Sequence, residues 1–196
     1  MSASPSIALA ELRAWLERAH GGCRLQQKTL PFGVPALDIA LPGGGLALGC
    51  LHEVIEAGPA AEYAATSALF VAGILARLRG PLLWCLRGRD LFAPALSRVG
   101  LHPDRVIYCE TCSDREVLPA MEEGLRHSGL AAVVGEVIRL PLTSSRRLQL
   151  AAERSGATAF VIRRWRNAAQ RDLANEPSSA VTRWRISPSP LEPGHF

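Results

Sequence analysis

The stretch LHEVIEAGPAAEYAATSALFVAGILARL, residues 51–78, decides the fold. The apolar run 51–55 predicts a strand, Gly58 and Pro59 predict a turn, and the segment 62–79 predicts a long helix. A strand that enters a helix through a glycine turn is the frame of a phosphate-binding loop, whose pattern is G-x-x-x-x-G-K-[ST]. The second glycine and the lysine of that pattern are missing here. The sequence therefore predicts the frame of a nucleotide site without its chemistry.

Apolar runs that predict strands alternate with segments that predict helices on both sides of this stretch. PLLWCLR, residues 81–87, is apolar almost throughout, as expected of a strand that is buried on both faces of a parallel sheet. Further strands are predicted at 105–110, 131–137 and 157–163, and further helices at 36–41, 91–99, 114–128 and 143–155. The short connections predict an α/β fold with a doubly wound, mostly parallel sheet flanked by helices.

The pattern divides the chain into three parts. Residues 1–25 hold a separate amphipathic helix that ends before a glycine pair, and this helix packs either on its own domain or on a neighbouring subunit. Residues 26–187 form the α/β core, in which 164–181 is predicted to be an exposed loop and 182–187 an edge strand. Residues 188–196 form a proline-rich flexible tail. The candidate contact residues of the first helix are Leu9, Leu12, Trp15 and Leu16.

Composition favours a cytoplasmic protein. The chain has 196 residues and 48% apolar content, which is enough for one packed core. No apolar run is long enough to span a membrane, and the first residues lack the basic start of a signal peptide. The five cysteines are odd in number and scattered, so reduced thiols are expected. We expect neither a metal site nor a cofactor.

Basic residues cluster late in the chain. Residues 137–185 contain ten arginines and three acids, a net charge of +7, whereas the whole chain carries +4. A basic stripe is the electrostatic footprint of a polyanion, and arginines interleaved with tryptophans are typical of single-stranded nucleic acid binding. The alternative is an edge strand with Trp184 facing inward and solvated arginines. The candidate DNA-binding or partner-binding residues are Arg139, Arg146, Arg147, Arg163, Arg164, Trp165, Arg166, Arg171, Arg183, Trp184 and Arg185.

Several spaced motifs resemble the RecA core. GVPALDIALPGGGLALGCLHEVIEAGP (33–59) looks like the entrance to that core, and REVLPAMEEGLRHSGLAAVVGEV (115–137) resembles the helix and strand that deliver its Walker B aspartate. The LHEV strand, the WCL strand and the RWR ending resemble the ImuA family, RecA-like proteins of bacterial SOS mutagenesis cassettes. In looser form, residues 52–165 resemble the SulA cell-division inhibitors. The resemblance implies a RecA-like fold.

The resemblance also lets the ATP-binding positions be compared. The only lysine is Lys28, upstream of the loop, and the loop itself is expected to be about two residues longer than the RecA type. The Walker B position falls on Gly135, unless a one-residue slip brings Glu136 to it. These departures imply a protein that is not an enzyme. The degenerate nucleotide loop comprises Gly58, Pro59, Glu62, Thr66 and Ser67.

By this resemblance the chain is a non-catalytic accessory protein of SOS-induced mutagenesis, a scaffold for translesion DNA synthesis. The partners implied are the polymerase-like ImuB, RecA and the error-prone replicative-type polymerase of the same cassette, with single-stranded DNA and self-association left open. The resemblance implies that the family's C-terminal part engages ImuB, and residues 186–196 are expected to be a truncated or disordered piece of that region. The alternatives are a SulA-like inhibitor that binds the tubulin-like division protein and a residual RecA-type ATPase.

Overall fold

A computed structural model describes residues 28–88, 91–165, 167 and 175–188. The chain divides into two compact units, Met1–Leu48 and Gly49–Phe196. Within the described residues no helix is long and apolar enough to cross a membrane. The predicted helix at 5–20 and all of the tail except Pro188 lie outside the described residues.

The described part of the first unit is small. Strands β1 (Thr29–Leu30) and β2 (Leu46–Ala47) pair antiparallel, and helix α1 (Pro35–Ala40) lies between them in sequence. The Asp38 carboxylate accepts hydrogen bonds from the backbone N–H groups of Phe32 and Gly33, at 2.7 and 2.9 Å. The helix was predicted; the two-residue strands were not, because runs this short carry no periodicity.

The second unit contains a six-stranded parallel sheet. Its strands are β3 (Leu51–Glu56), β4 (Leu82–Leu86), β5 (Val106–Glu110), β6 (Ala132–Val137), β7 (Thr158–Arg163) and β8 (Thr182–Ile186). The order across the sheet is β5-β4-β6-β7-β3-β8, and every neighbouring pair is parallel. The edge strand predicted at 182–187 is therefore confirmed as β8, beside β3.

Helices α2 (Ala60–Ala76), α3 (Ala93–Arg98), α4 (Asp114–Leu125) and α5 (Leu142–Ser155) connect the strands. Each helix predicted within the described residues is present, with ends shifted by up to three residues. Arg105 explains one of these ends, because its guanidinium donates to the carbonyls of Leu75, Ala76 and Leu78 at the end of α2. The last carbonyls of a helix lack the full set of backbone partners, so a cation placed there stabilises its C-terminus.

Strand register assigns residues to the two faces of the sheet, since side chains alternate along a strand and aligned residues of parallel neighbours share a face. Cys85 is aligned with Gly135, and Gly135 packs against Met121 of α4. This is the α4–α5 face. Trp184 packs on Phe70 of α2, with ring centroids 5.4 Å apart, so the alternate positions form the α2 face. Helices therefore cover both faces, as predicted for a doubly wound sheet.

Candidate functional site

Open α/β sheets bind ligands beyond the carboxyl ends of their strands, so the carboxyl edge of this sheet is the candidate site. At this edge, Glu56 ends β3, Glu136 lies near the end of β6, and Arg164 follows β7. Glu56 and Glu136 occupy the α2 face, as shown by the register of β3, β7 and β6. The fold thus brings two carboxylates and a guanidinium together from three strands.

Arg164 joins the two carboxylates. Its Nη1 lies 3.1 Å from Glu56 Oε1, and its Nε donates to Glu136 Oε2. The other Glu136 oxygen accepts a hydrogen bond of 2.8 Å from the indole N–H of Trp84. Trp165 donates its indole N–H to the backbone carbonyl of Glu56 at 2.9 Å. We call Glu56, Glu136 and Arg164 the α2-face cluster; their side chains are 0%, 5% and 11% exposed.

Burial controls the protonation of Glu56. The pKa of Glu56 is raised to about 7, because loss of solvent outweighs the attraction of Arg164 and Glu136 adds repulsion. Glu56 Oε2 is buried and has no hydrogen-bond partner among the described residues. One guanidinium therefore holds two buried carboxylates, and Glu56 titrates near neutral pH.

The loop that precedes α2 is shorter than expected. Only residues 57–59 separate β3 from α2, so the expectation of a loop two residues longer than the RecA type is wrong. A Cβ on Gly58 would overlap the ring of Tyr63, so this glycine is required by close packing; its φ is not positive. Pro59 lacks the N–H that a phosphate would need.

The hydroxyl pair of the degenerate loop lies well inside α2. Thr66 is six residues beyond Ala60, the first residue of the helix, so a rise of about 1.5 Å per residue puts it about 9 Å along the axis. Ser67 is fully buried, and its Oγ has no hydrogen-bond partner among the described residues. Neither hydroxyl therefore lies at the N-terminus, where helices bind phosphate. The Glu62 side chain lies outside the described residues.

The register of β6 shows on which face of the sheet each of the two candidate Walker B residues, Gly135 and Glu136, lies. A Cβ on Gly135 would overlap Met121 Sδ, so Gly135 serves the packing of α4 on the sheet. Glu136 is the residue that lies on the same face as Glu56. Of the two candidates, Glu136 therefore places a carboxylate on the α2 face, and Gly135 lies on the other face. The Glu136 carboxylate accepts hydrogen bonds from Arg164 and Trp84.

A second buried cluster lies on the α4–α5 face. Arg163 Nη1 pairs with Glu53 Oε1 at 2.8 Å, and its Nε donates to the carbonyl of Ile138. The other Glu53 oxygen accepts from Arg183 Nε at 2.9 Å and from Ser178 Oγ at 2.6 Å. Burial lowers the pKa of Arg163, and Glu53 opposes that shift. We call Glu53, Arg163 and Arg183 the α5-face cluster.

The two clusters show that the prediction of a basic surface was wrong for Arg163, Arg164 and Arg183. Arg163 is 2% exposed, so it is an interior residue and does not face a polyanion. Arg164 pairs with Glu56 and Glu136, and Arg183 pairs with Glu53. Trp184 faces inward against Phe70, which matches the alternative of an edge strand with an inward tryptophan.

The remaining basic residues differ in their partners. Arg139 is exposed but pairs with Glu176 at 2.7 Å, and this pairing raises its pKa. Arg147 pairs with Glu122. Arg146 and Arg185 are exposed and have no acidic partner among the described residues. The predicted residues outside the described part are Leu9, Leu12, Trp15, Leu16, Arg166 and Arg171.

Sequence reasoning missed Glu53, Glu56 and Trp84. The available signal was the strand LHEVIE, in which two carboxylates interrupt a run whose six residues are all buried. A buried carboxylate needs a cation, and the Arg163–Arg164 pair at the end of the strand predicted at 157–163 supplies two. Sequence alone assigned that pair to the surface, because its neighbours in the sheet were unknown.

The parallel sheet with helices on both faces, and the strand–turn–helix at its carboxyl edge, define a RecA-like α/β protein. Two sequences called Protein ImuA, from Caulobacter vibrioides strains NA1000 / CB15N and ATCC 19089 / CIP 103742 / CB 15, are each 38% identical to the chain over 181 residues. The match covers 89% of this chain and 74% of each relative. The chain belongs to the ImuA family, and this membership supports an accessory role in SOS mutagenesis.

Similarity to a solved structure is weaker. A crystal structure of SulA from Pseudomonas aeruginosa superposes with a TM-score of 0.49 at 22% sequence identity, over 59% of this chain and 98% of that one. No protein-family model matches the chain.

Proposed function

We propose that this protein is a non-catalytic scaffold of SOS-induced translesion DNA synthesis, acting in the cytoplasm and at the nucleoid after DNA damage. The observation that carries the proposal is the α2-face cluster. Arg164 lies between Glu56 and Glu136 at the edge where the fold would bind a nucleotide. The protein's own guanidinium thus neutralises the two carboxylates at this edge, which leaves neither of them free to hold a cation.

The chemistry of phosphoryl transfer supports this view. Catalysis of that reaction consists mostly of positioning and of positive charge that neutralises the phosphates. The only lysine, Lys28, precedes β1, and the loop of residues 57–59 is too short to wrap a phosphate. The hydroxyls of Thr66 and Ser67 lie inside α2. The carboxyl edge therefore serves folding in this proposal, and function falls to the surfaces.

Titration with Mg-ATP tests the non-catalytic part of the proposal. We expect no binding heat and no phosphate release from the full chain, with or without single-stranded DNA. The variant Arg164→Ala tests the reason, because it frees Glu56 and Glu136. Nucleotide binding that appears only in this variant supports occupation of the site by Arg164. Micromolar binding of Mg-ATP by the unaltered chain refutes the proposal.

The partners follow from the family resemblance: an ImuB-type polymerase-like protein, RecA and the error-prone replicative-type polymerase. Co-purification of the full chain with each partner, with and without single-stranded DNA, is the direct test. Removal of residues 1–20 is expected to weaken self-association or RecA binding without unfolding the second unit. Unchanged sedimentation and unchanged RecA binding would reject that role for the first helix. A pull-down with the tubulin-like division protein tests the SulA-like alternative.

Direct contact with single-stranded DNA is a narrower part of the proposal. Arg146 on α5 and Arg185 on β8 are exposed and have no acidic partner among the described residues, so both are available to phosphates. Arg139 and Arg183 would first have to leave Glu176 and Glu53. We therefore assign any DNA contact to Arg146 and Arg185 within the described part of the chain.

A further inference from the structure

A groove of about 400 Å³ lies between the last turns of α4 and α5. Each helix returns the chain from the carboxyl edge of the sheet to its amino edge, so the last turns lie at the amino edge. The groove is thus separated by the length of the strands from the α2-face cluster. Leu150 and Ala151 supply its accessible apolar surface, and the fully buried Leu125 also borders the groove.

Three arginines surround this apolar surface, from both helices: Arg126, Arg147 and Arg154. Glu122 pairs with Arg126 and with Arg147, so one carboxylate serves two cations. Arg126 also reaches Glu123, at 3.0 Å. Arg154 has no acidic partner among the described residues. The groove lining therefore keeps a net positive charge, to which Arg154 contributes most directly.

Leu150 gives the groove an apolar contact point, because it is 52% exposed and lies one turn before Arg154 on α5. A single exposed leucine on a protein surface is ordinary. Here it lies in a concave site, one helical turn from Arg154, which has no acidic partner among the described residues. Such a site matches a ligand that carries an apolar side chain next to a carboxylate, as an acidic amphipathic peptide does.

We propose that the α4–α5 groove binds an acidic, leucine-bearing segment of a protein partner. Leucine side chains of that segment pack on Leu150 and Ala151, and its carboxylates pair with Arg154. A nucleic acid fits less well, because no aromatic ring among the described residues lines the groove for base stacking, whereas the exposed Leu150 offers an apolar contact that phosphates cannot use. The proposal goes beyond the scaffold function and does not depend on it.

Fluorescence polarisation with a labelled peptide of sequence DELLEDLLDELL tests the groove on the full chain. We expect saturable binding at low salt, and much weaker binding of two control peptides, one with serine for leucine and one with lysine for each acid. The substitutions Arg154→Glu and Leu150→Ser should each weaken binding about ten-fold or more, since the first makes an attractive pair repulsive and the second removes the apolar contact.

Arg98→Glu is the matched control, because Arg98 is also an exposed arginine in the last turn of a helix, α3. It should leave the affinity for the peptide unchanged. An equal loss in Arg98→Glu would show that only net charge matters and would overturn the proposal, as would the absence of binding to the unaltered chain. Binding of labelled single-stranded DNA that competes with the peptide on the unaltered chain and is itself lost in Arg154→Glu would overturn it by assigning the groove to nucleic acid. Thermal melts of each variant check that the fold is intact.

Discussion

Arg163 and Arg164 are consecutive in the chain, yet their guanidinium groups pair with carboxylates on opposite faces of one sheet. Arg163 Nη1 lies 2.8 Å from Glu53 Oε1, and Arg164 Nη1 lies 3.1 Å from Glu56 Oε1. Both carboxylates come from β3, three residues apart, so strand alternation sends them to different sides. A short dibasic sequence thereby fastens the carboxyl end of β7 to β3 on both faces.

The Arg163–Glu53 pair should be needed for stability. Arg163→Met leaves the fully buried Glu53 with Arg183 and Ser178 alone, and breaking a buried pair typically costs about 3 kcal/mol or more. Urea denaturation measures the free energy of unfolding. Arg146→Met, an exposed arginine on α5, is the control and should change it by less than about 0.5 kcal/mol. Equal small effects in both variants would contradict the importance of the buried pair.

Glu56 should make stability depend on pH. Its pKa is raised from 4.5 to about 7, so the native state holds a proton that the unfolded chain releases. The stabilisation is complete below about pH 4.5 and is lost as pH rises through about 7. Glu56→Gln removes this dependence. Between pH 4.5 and 8 the unaltered chain should lose about 3 kcal/mol more than the variant, from about 1.4 kcal/mol per pKa unit.

The control for this titration is Asp104→Asn, which removes an exposed carboxylate near the start of β5. Its stability should follow pH as that of the unaltered chain does. If Glu56→Gln also follows the same curve, then the ionisation of Glu56 has no share in the pH dependence.

Gly135 should be coupled to Met121. A methyl group at Gly135 would overlap Met121 Sδ, so Gly135→Ala alone should destabilise the chain by about 1–3 kcal/mol. Met121→Ala alone leaves a cavity and should cost about 2–5 kcal/mol. The double variant should be destabilised by less than the sum, since the shortened side chain makes room for the methyl group. Strict additivity of the unfolding free energies would contradict direct contact between the two residues.

Binding of single-stranded DNA should depend on Arg146 and Arg185. Each arginine that neutralises one phosphate of a single strand contributes about 0.7 to the slope of log K against log salt, so Arg146→Ala with Arg185→Ala should reduce that slope by about 1.4. Arg79→Ala with Arg98→Ala removes two other exposed arginines and should leave the slope unchanged. Electrophoretic shift of a labelled oligonucleotide over a salt series gives these slopes. No retardation of the oligonucleotide by the unaltered chain at low salt would reject the DNA contact.

Much of the fold was predictable from sequence, because each strand and helix of the second unit carries its own periodic signal. PLLWCLR predicted a strand buried on both faces, and β4 is that strand, with Trp84 and Cys85 fully buried. The two-residue strands of the first unit were not predictable, since pairing between segments distant in sequence creates them. The length of the loop before α2 was also misjudged, because the helix begins as soon as Pro59 allows.

The candidate site was less predictable than the fold. The sequence placed Arg163, Arg164 and Arg183 on one basic surface, because net charge alone contains no information about partners. The structure divides them between two buried clusters and leaves Arg146 and Arg185 exposed. No sequence pattern singles out Arg126 and Arg154, because the groove that both residues line forms only where α4 packs beside α5.

The sequence by itself determined the alternation of strands and helices, the basic segment, and the absence of a phosphate-binding lysine from the loop, because these are properties of residue types and their spacing. Tertiary structure alone decided which charges are buried. Glu53 and Arg163 lie 110 positions apart in the chain, and their pairing depends on the adjacency of β3 and β7 in the sheet. Burial of an ion is tolerated only where an opposite charge meets it, and that meeting is a property of the folded sheet.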